Sequence, residues 1–231
     1  MKYTVAFNKE KRAMREIIRD ASLDADRRLG ILEVWYPDSS EWDTAAFDEL
    51  KEKELTAIRE EGKEYDRETW FRQEPYFRYF RKFKKTSPVM MQVESFLLKG
   101  RPFPEGHYNN SVAFLTELKT RCLLGSHDAD KIEGNLIVFK ATEKESFPSI
   151  HGGEAHSYPG DITCRDDRSI VVSMIAGAYS RTCLSDDSIH VLYFGFGTPG
   201  MDSDTIKAYL QQVEQYVKVL APAAGTELHM I

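Results

Sequence analysis

The spacing of apolar residues changes character once along the chain, near Gly125, and that change limits what the chain can fold into. As far as Cys122 the apolar residues mostly recur at helical intervals. Past Gly125 they come in short runs broken by Gly, Pro and Asp, which is the pattern of strands. Helices grouped first and strands later, without strict alternation, predict an α+β fold rather than a doubly wound parallel sheet.

In the first half, residues 8–28 carry Ala13, Met14, Ile17, Ile18 and Ala21 among many charges, which predicts an amphipathic helix, and a strand follows over 29–35. Pro37 to Ser40 make a turn. Asp43 is placed to cap a helix with Phe47, Leu50, Leu55 and Ile58 on one stripe, closing at Gly62. Pro75 and Pro88 sit where first-turn prolines start helices, predicted over 75–85 and 88–99, and a loop from Gly100 to Gly106 leads to a helix over 110–122. In the second half, strands are expected over 136–141, 147–150, 161–164, 169–176 and 190–196, with a last helix over 202–220. The loop between the halves is short, so residues 1–231 are expected to form one domain with a helical part, 1–123, and a strand-rich part, 124–231, that ends in a helix.

Charge and cysteines narrow the function classes. The formal net charge of −6 means that contact with a polyanion must come from a local basic patch. Cys122, Cys164 and Cys183 are far apart, with no C-x-x-C pair, and read as reduced thiols. Polar residues interrupt the apolar start before a signal-peptide core develops, and no run reaches the roughly 18 residues of a membrane helix, so a cytoplasmic protein is expected.

Four stretches carry side chains suited to chemistry. In the aromatic and basic segment 70–85, Arg78, Arg81, Lys82 and Lys85 fall on one face of a continuous helix, either as a phosphate-backbone footprint or as a solvated face balancing the acidic helix before it. Residues 124–135 gather His127, Asp128, Asp130 and Glu133 around Gly125 and Gly134, either as a ligand loop or as a capped turn whose Asp side chains bond local amides. In 150–160, His151, Glu154 and His156 lack the spacing of a helical zinc motif, and a loop whose Gly152 and Gly153 amides face a pocket competes with a plain connection. In 177–190, Ser180, Arg181, Thr182, Ser185, Asp186, Asp187 and Ser188 make a polar island for a ligand or an ordinary surface loop, and Cys183 has no evident base to make it a nucleophile.

Taken in order, these stretches resemble the B3/B4 domain, the editing domain of the bacterial phenylalanyl-tRNA synthetase beta subunit. The resemblance rests on Gly100 with Pro104, on Gly125-Ser126-His127-Asp128-Ala129-Asp130-Lys131-Ile132 with Gly134, on Gly152-Gly153, on Ser180-Arg181-Thr182 and on Asp186-Asp187-Ser188. It covers about residues 75–220, and the opening of the chain is similar to free-standing members.

The resemblance implies an α+β fold with a β-sandwich-like core wrapped by helices. It also implies a trans-acting hydrolase of misacylated tRNA that works by positioned water, with no metal or organic cofactor and no obligate protein partner. On that reading His127, Arg181, Thr182 and Ser188 are the catalytic set, and Gly125, Glu133, Gly152, Gly153, Ala178 and Tyr179 bind substrate. Arg78, Arg81, Lys82 and Lys85 touch the tRNA backbone. Gly125 stands where the synthetase has histidine, and Ala176-Gly177-Ala178-Tyr179-Ser180 replaces its Gly-Gly-Glu-Glu-Ser, which implies a different amino-acid specificity. The alternative is a non-catalytic module on the same fold that binds an amino acid, nucleoside or other small metabolite, and a third reading is an adaptor without ligand.

Overall fold

A computed structural model describes residues 16–231 of the chain. The fold is α+β, with a four-stranded sheet, a five-stranded sheet and a two-stranded ribbon. In chain order the elements are β1 (Ile17–Arg19), β2 (Leu29–Trp35), α1 (Thr44–Glu61), α2 (Arg67–Phe71), α3 (Pro75–Lys82), α4 (Pro88–Leu97), α5 (Tyr108–Thr120), β3 (Leu124–Asp128), β4 (Leu136–Lys140), β5 (Ser146–Pro148), β6 (Glu154–His156), β7 (Ile162–Arg165), β8 (Ile170–Ser173), β9 (Gly177–Ala178), β10 (His190–Phe196), α6 (Ser203–Leu220) and β11 (Gly225–Met230). Short 3-10 turns follow β3 at Ala129–Lys131 and β9 at Ser180–Thr182.

Four of the six helices among the described residues begin at an acidic cap. Asp43 accepts from the Ala46 N–H at 3.0 Å, Asp66 from Thr69 at 2.8 Å, Glu74 from Phe77 at 2.9 Å and Asp202 from Thr205 at 2.6 Å. Each satisfies an amide left open in a first helical turn.

The four-stranded sheet runs β11-β2-β10-β3, so a strand from the helical half lies between two from the other half. Its two faces follow from register. Gly30, Leu32 and Val34 of β2 share one face with Val191, Tyr193 and Gly195 of β10, and α6 packs there. A Cβ on Gly195 would lie 2.7 Å from the Tyr209 ring, so glycine sets how closely the helix approaches. The other face carries Ile31, Glu33 and Trp35, then His190, Leu192, Phe194 and Phe196, then Gly125 and His127. The five-stranded sheet runs β1-β4-β7-β8-β9, and residues of both sheets enter one continuous buried cluster.

Several expectations need correction. Ile17 and Ile18, expected on a helix over 8–28, lie in β1, which pairs in parallel with β4 through Leu136 and Ile137. Sheet pairing outweighs the helical spacing there, and the Arg19 guanidinium closes the following turn by donating to the carbonyls of Arg27 at 2.9 Å and Leu23 at 3.3 Å. The earlier part of that predicted helix, including Ala13 and Met14, lies outside the described residues. Residues 124–128, expected as a loop, form β3 because the fully buried β10 requires a partner along its second edge. The helix expected over 75–85 ends at Lys82, where Phe83 leaves helical geometry and Lys84 turns left-handed at φ 57°. Lys85 therefore does not continue the face of Arg78, Arg81 and Lys82. β11 was not expected, nor were the short β6 and β9.

Candidate functional site

His127 lies on β3 opposite Leu192, with its ring 5.0 Å from that of Phe194 and no exposed surface. Burial lowers its pKa to about 4, so the imidazole is neutral at pH 7. Its Nδ1 is 2.8 Å from the Thr182 hydroxyl, which in turn donates to the Tyr179 carbonyl at 3.3 Å. With the Thr182 hydroxyl proton on the Tyr179 carbonyl, Nδ1 carries the imidazole proton and Nε2 is a bare acceptor. Nε2 has no hydrogen-bond partner, and a Cβ built on Gly125 would stand 3.4 Å from it. An unsatisfied buried acceptor costs about 1–3 kcal/mol, so this atom is a place where a polar ligand group would be welcome.

A second node lies at the end of β3. The buried Asp128 carboxylate accepts from the Ser188 hydroxyl at 2.6 Å and from the Asp130 N–H at 3.0 Å, and it faces the Lys131 ammonium at 3.2 Å. Ser188 Oγ in turn accepts from the Ser185 N–H at 2.9 Å. The capped-turn reading of this stretch holds at Asp128, which caps the turn at Ala129–Lys131 and also anchors the 185–188 loop through Ser188.

Arg181 forms a third node. It donates to the Asp166 carboxylate at 2.6 Å and to the Lys131 carbonyl, lies 3.5 Å from Glu133, and is stacked over the Tyr179 ring at 5.2 Å. Burial raises the Asp166 pKa, but the N–H groups of Glu133, Ser169 and Arg168 together with Arg181 outweigh it and hold the carboxyl below its usual range. Glu133 itself is exposed and paired with Arg168 at 2.8 Å.

The expected residues thus divide by place. Gly125 and His127 lie on β3, Glu133 lies past the turn that follows it, Arg181 and Thr182 lie in the turn after β9 and Ser188 in the loop before β10, and all but Gly125 take part in the contacts above. Tyr179 borders this group through the Thr182 bond to its carbonyl and the Arg181 guanidinium over its ring, while Ala178, next to it in sequence, accepts at its carbonyl from the Ile150 N–H at 3.1 Å. Gly152 and Gly153 are exposed in the turn just beyond, at φ 84° and 70°, and nothing stands within 4 Å of where their side chains would be. His151 is exposed in that turn, and His156 leans on the Tyr158 ring at 5.7 Å. Burial pushes the Cys183 thiol above its ordinary range, against the pull of Lys131, so it is not an activated nucleophile. Arg78, Arg81, Lys82 and Lys85 lie apart from these nodes on and just after α3, whose Tyr76 hydroxyl bonds the Phe196 carbonyl at the far end of β10.

One polar cluster has no counterpart in the sequence reading beyond Asp130, which that reading grouped with His127 instead. On the same sheet face, Glu33 Oε1 is 2.7 Å from His190 Nε2, Asp130 is 3.0 Å from His190 Nδ1, and His229 is 3.3 Å from Glu33. His190 also stacks on Trp35 at 5.3 Å. Burial raises the Glu33 pKa, but the two histidines outweigh it and bring it to about 2. These residues come from β2, β10, β11 and the turn after β3, and no spacing in the sequence links them. Among the described residues, no group of three or more His, Cys, Asp or Glu is arranged to hold a metal ion, and no helix is long and apolar enough to cross a membrane.

No family model matches the chain, and no curated protein does. Among solved structures, it is similar to the crystal structure of an N-terminal fragment of the phenylalanyl-tRNA synthetase beta-subunit from Pyrococcus horikoshii, at 11% identity and a TM-score of 0.47. The alignment covers 94% of this chain and 51% of that one, so the chain spans about half the length of the structure it matches. The likeness is a distant structural one.

Proposed function

We propose that the chain recognises the aminoacyl ester of a misacylated tRNA where β3 meets the turn that follows β9, and hydrolyses it in trans. The observation that carries this reading is the neutral, buried His127, held through Nδ1 and left with an unpartnered acceptor at Nε2. The motif order that resembles the B3/B4 domain supports it as well. With a pKa of about 4 the imidazole is too weak a base to deprotonate water efficiently at neutral pH. Its role is to accept a hydrogen bond from the substrate or from the attacking water and so fix its orientation, while Thr182 holds the ring. Arg181 and Ser188 shape the walls through Asp166 and Asp128 rather than touching the reacting atoms. Because His127 has no exposed surface, the reading requires the segment after β9 to yield as the substrate enters.

The same burial favours a second reading, a non-catalytic module for a small polar metabolite, because the Thr182 and Ser188 hydroxyls are already committed to internal bonds. Release of amino acid from a panel of charged tRNAs separates the two. The deacylase reading predicts release from at least one charged tRNA and a loss of roughly a hundredfold in His127→Ala, in line with removal of one orienting contact. No release from any member of the panel would sink it and leave the binding module.

A further inference from the structure

The segment 75–85 holds Arg78, Arg81, Lys82, Lys84 and Lys85 and no acidic residue, in a chain whose net charge is −6. Elsewhere the cations are largely spent on carboxylates: Lys51 on Asp48, Lys119 on Glu54, Arg121 on Glu61, Lys140 on Asp24, Arg165 on Glu145 and Arg181 on Asp166. None of the five on and after α3 has an ion-pair partner among the described residues, and all five are exposed. Self-repulsion of unpaired cations is a standing cost that a bound polyanion would relieve.

The five are not equivalent. Between α3 and the turn after β10 runs a groove of about 330 Å³, with Gln73, Arg78 and Lys82 on one side and Pro199 and Gly200 on the other. Arg78 and Lys82 are one helical turn apart, and the Gln73 side chain accepts from the Arg78 guanidinium, which steadies it at the lining. Gly200 has φ 92°, has no neighbour within 4 Å of a Cβ position, and its N–H donates to no atom among the described residues. Arg81 lies instead over Phe77 at 5.5 Å and Lys85 over Tyr158 at 5.3 Å, both outside the groove lining.

We infer that this groove seats a backbone phosphate of an RNA, gripped by Arg78 and Lys82, with Arg81, Lys84 and Lys85 adding only diffuse attraction around it. Two cations at fixed spacing and an open backbone donor are the contacts that position a phosphodiester without reading sequence. The inference rests on the proposed function only in naming tRNA as the RNA.

The test uses the full chain and uncharged tRNA, which has no ester, so binding is read independently of hydrolysis. Wild type is expected to bind with an affinity that falls steeply with salt. Arg78→Ala with Lys82→Ala is expected to lose about tenfold or more in affinity, and to reduce the slope of log K against log salt by about 2. Arg81→Ala with Lys85→Ala should cost less, and Lys53→Ala with Lys63→Ala on and just after α1 should cost nothing. Arg78→Glu with Lys82→Glu, which leaves the buried core untouched, should abolish binding. Three outcomes would overturn the inference: salt-insensitive or absent tRNA binding, an unchanged affinity in the Arg78 and Lys82 pair, or displacement of tRNA by inorganic phosphate at low concentration. The last would mark a small-phosphate site. Binding without hydrolysis would count against the deacylase alone.

Discussion

At the scale of single residues, His127 and Ser188 show how similar polar side chains come to differ in energy. Both are buried, but Ser188 is fully bonded and His127 is not. Ser188→Ala removes the 2.6 Å bond to Asp128 and the acceptor for the Ser185 amide, leaving a buried carboxylate short of a donor. A loss of about 1–3 kcal/mol in folding stability is expected by chemical denaturation. A loss below about 0.5 kcal/mol would mean that Lys131, 3.2 Å from Asp128, already satisfies that carboxylate.

At the scale of elements, the turn from α5 into β3 depends on Glu117. Its carboxyl is buried and accepts from the Leu124 N–H at 2.9 Å, and burial raises its pKa to about 7. A carboxyl whose folded pKa lies above its unfolded value is protonated preferentially in the folded state. Its contribution to stability is therefore whole below the unfolded value of 4.5 and is lost as pH rises towards about 7. Glu117→Gln keeps an acceptor for Leu124 and removes the titration. The stability of the variant relative to the wild type should therefore rise between pH 5 and pH 8, on the order of 3 kcal/mol at 1.36 kcal/mol per unit, because the wild type loses stability over that range. Denaturant midpoints that track each other across this range would contradict the assignment.

At the scale of the whole molecule, β11 covers an edge of β2 that would otherwise expose unpaired backbone groups, and Ile231 exchanges two bonds with Leu29, at 3.2 and 2.9 Å. Deleting residues 225–231 removes this pairing and the packing of Leu228, Met230 and Ile231 against the core. A fall in Tm of about 10 °C is expected by calorimetry, together with self-association through the bared strand. A monomeric variant with an unchanged Tm would show that β2 and β10 carry the sheet alone. The overall charge of −6 also means that RNA contact must be local, which is why the groove beside α3 carries the salt dependence expected of it.

Much of the chain's local structure was legible in its sequence because it depends on neighbours a few residues apart. Asp43, Asp202, Pro75 and Pro88 mark helix starts through capping and ring geometry, and the apolar runs of β2 and β10 read as strands at their observed bounds. The stretches around His127, Arg181 and Ser188 were visible as polar residues in apolar company. Only the tertiary structure decided that β3 is a strand and that Ile17 and Ile18 pair with β4, because the partners lie more than sixty residues away and Gly-Ser-His-Asp has little strand propensity of its own. The tertiary structure also decided that Thr182 holds His127, that Nε2 is left without a partner, and that Glu33, His190 and His229 meet. Such contacts arise from strand register and from which face each strand buries, quantities that no local spacing encodes.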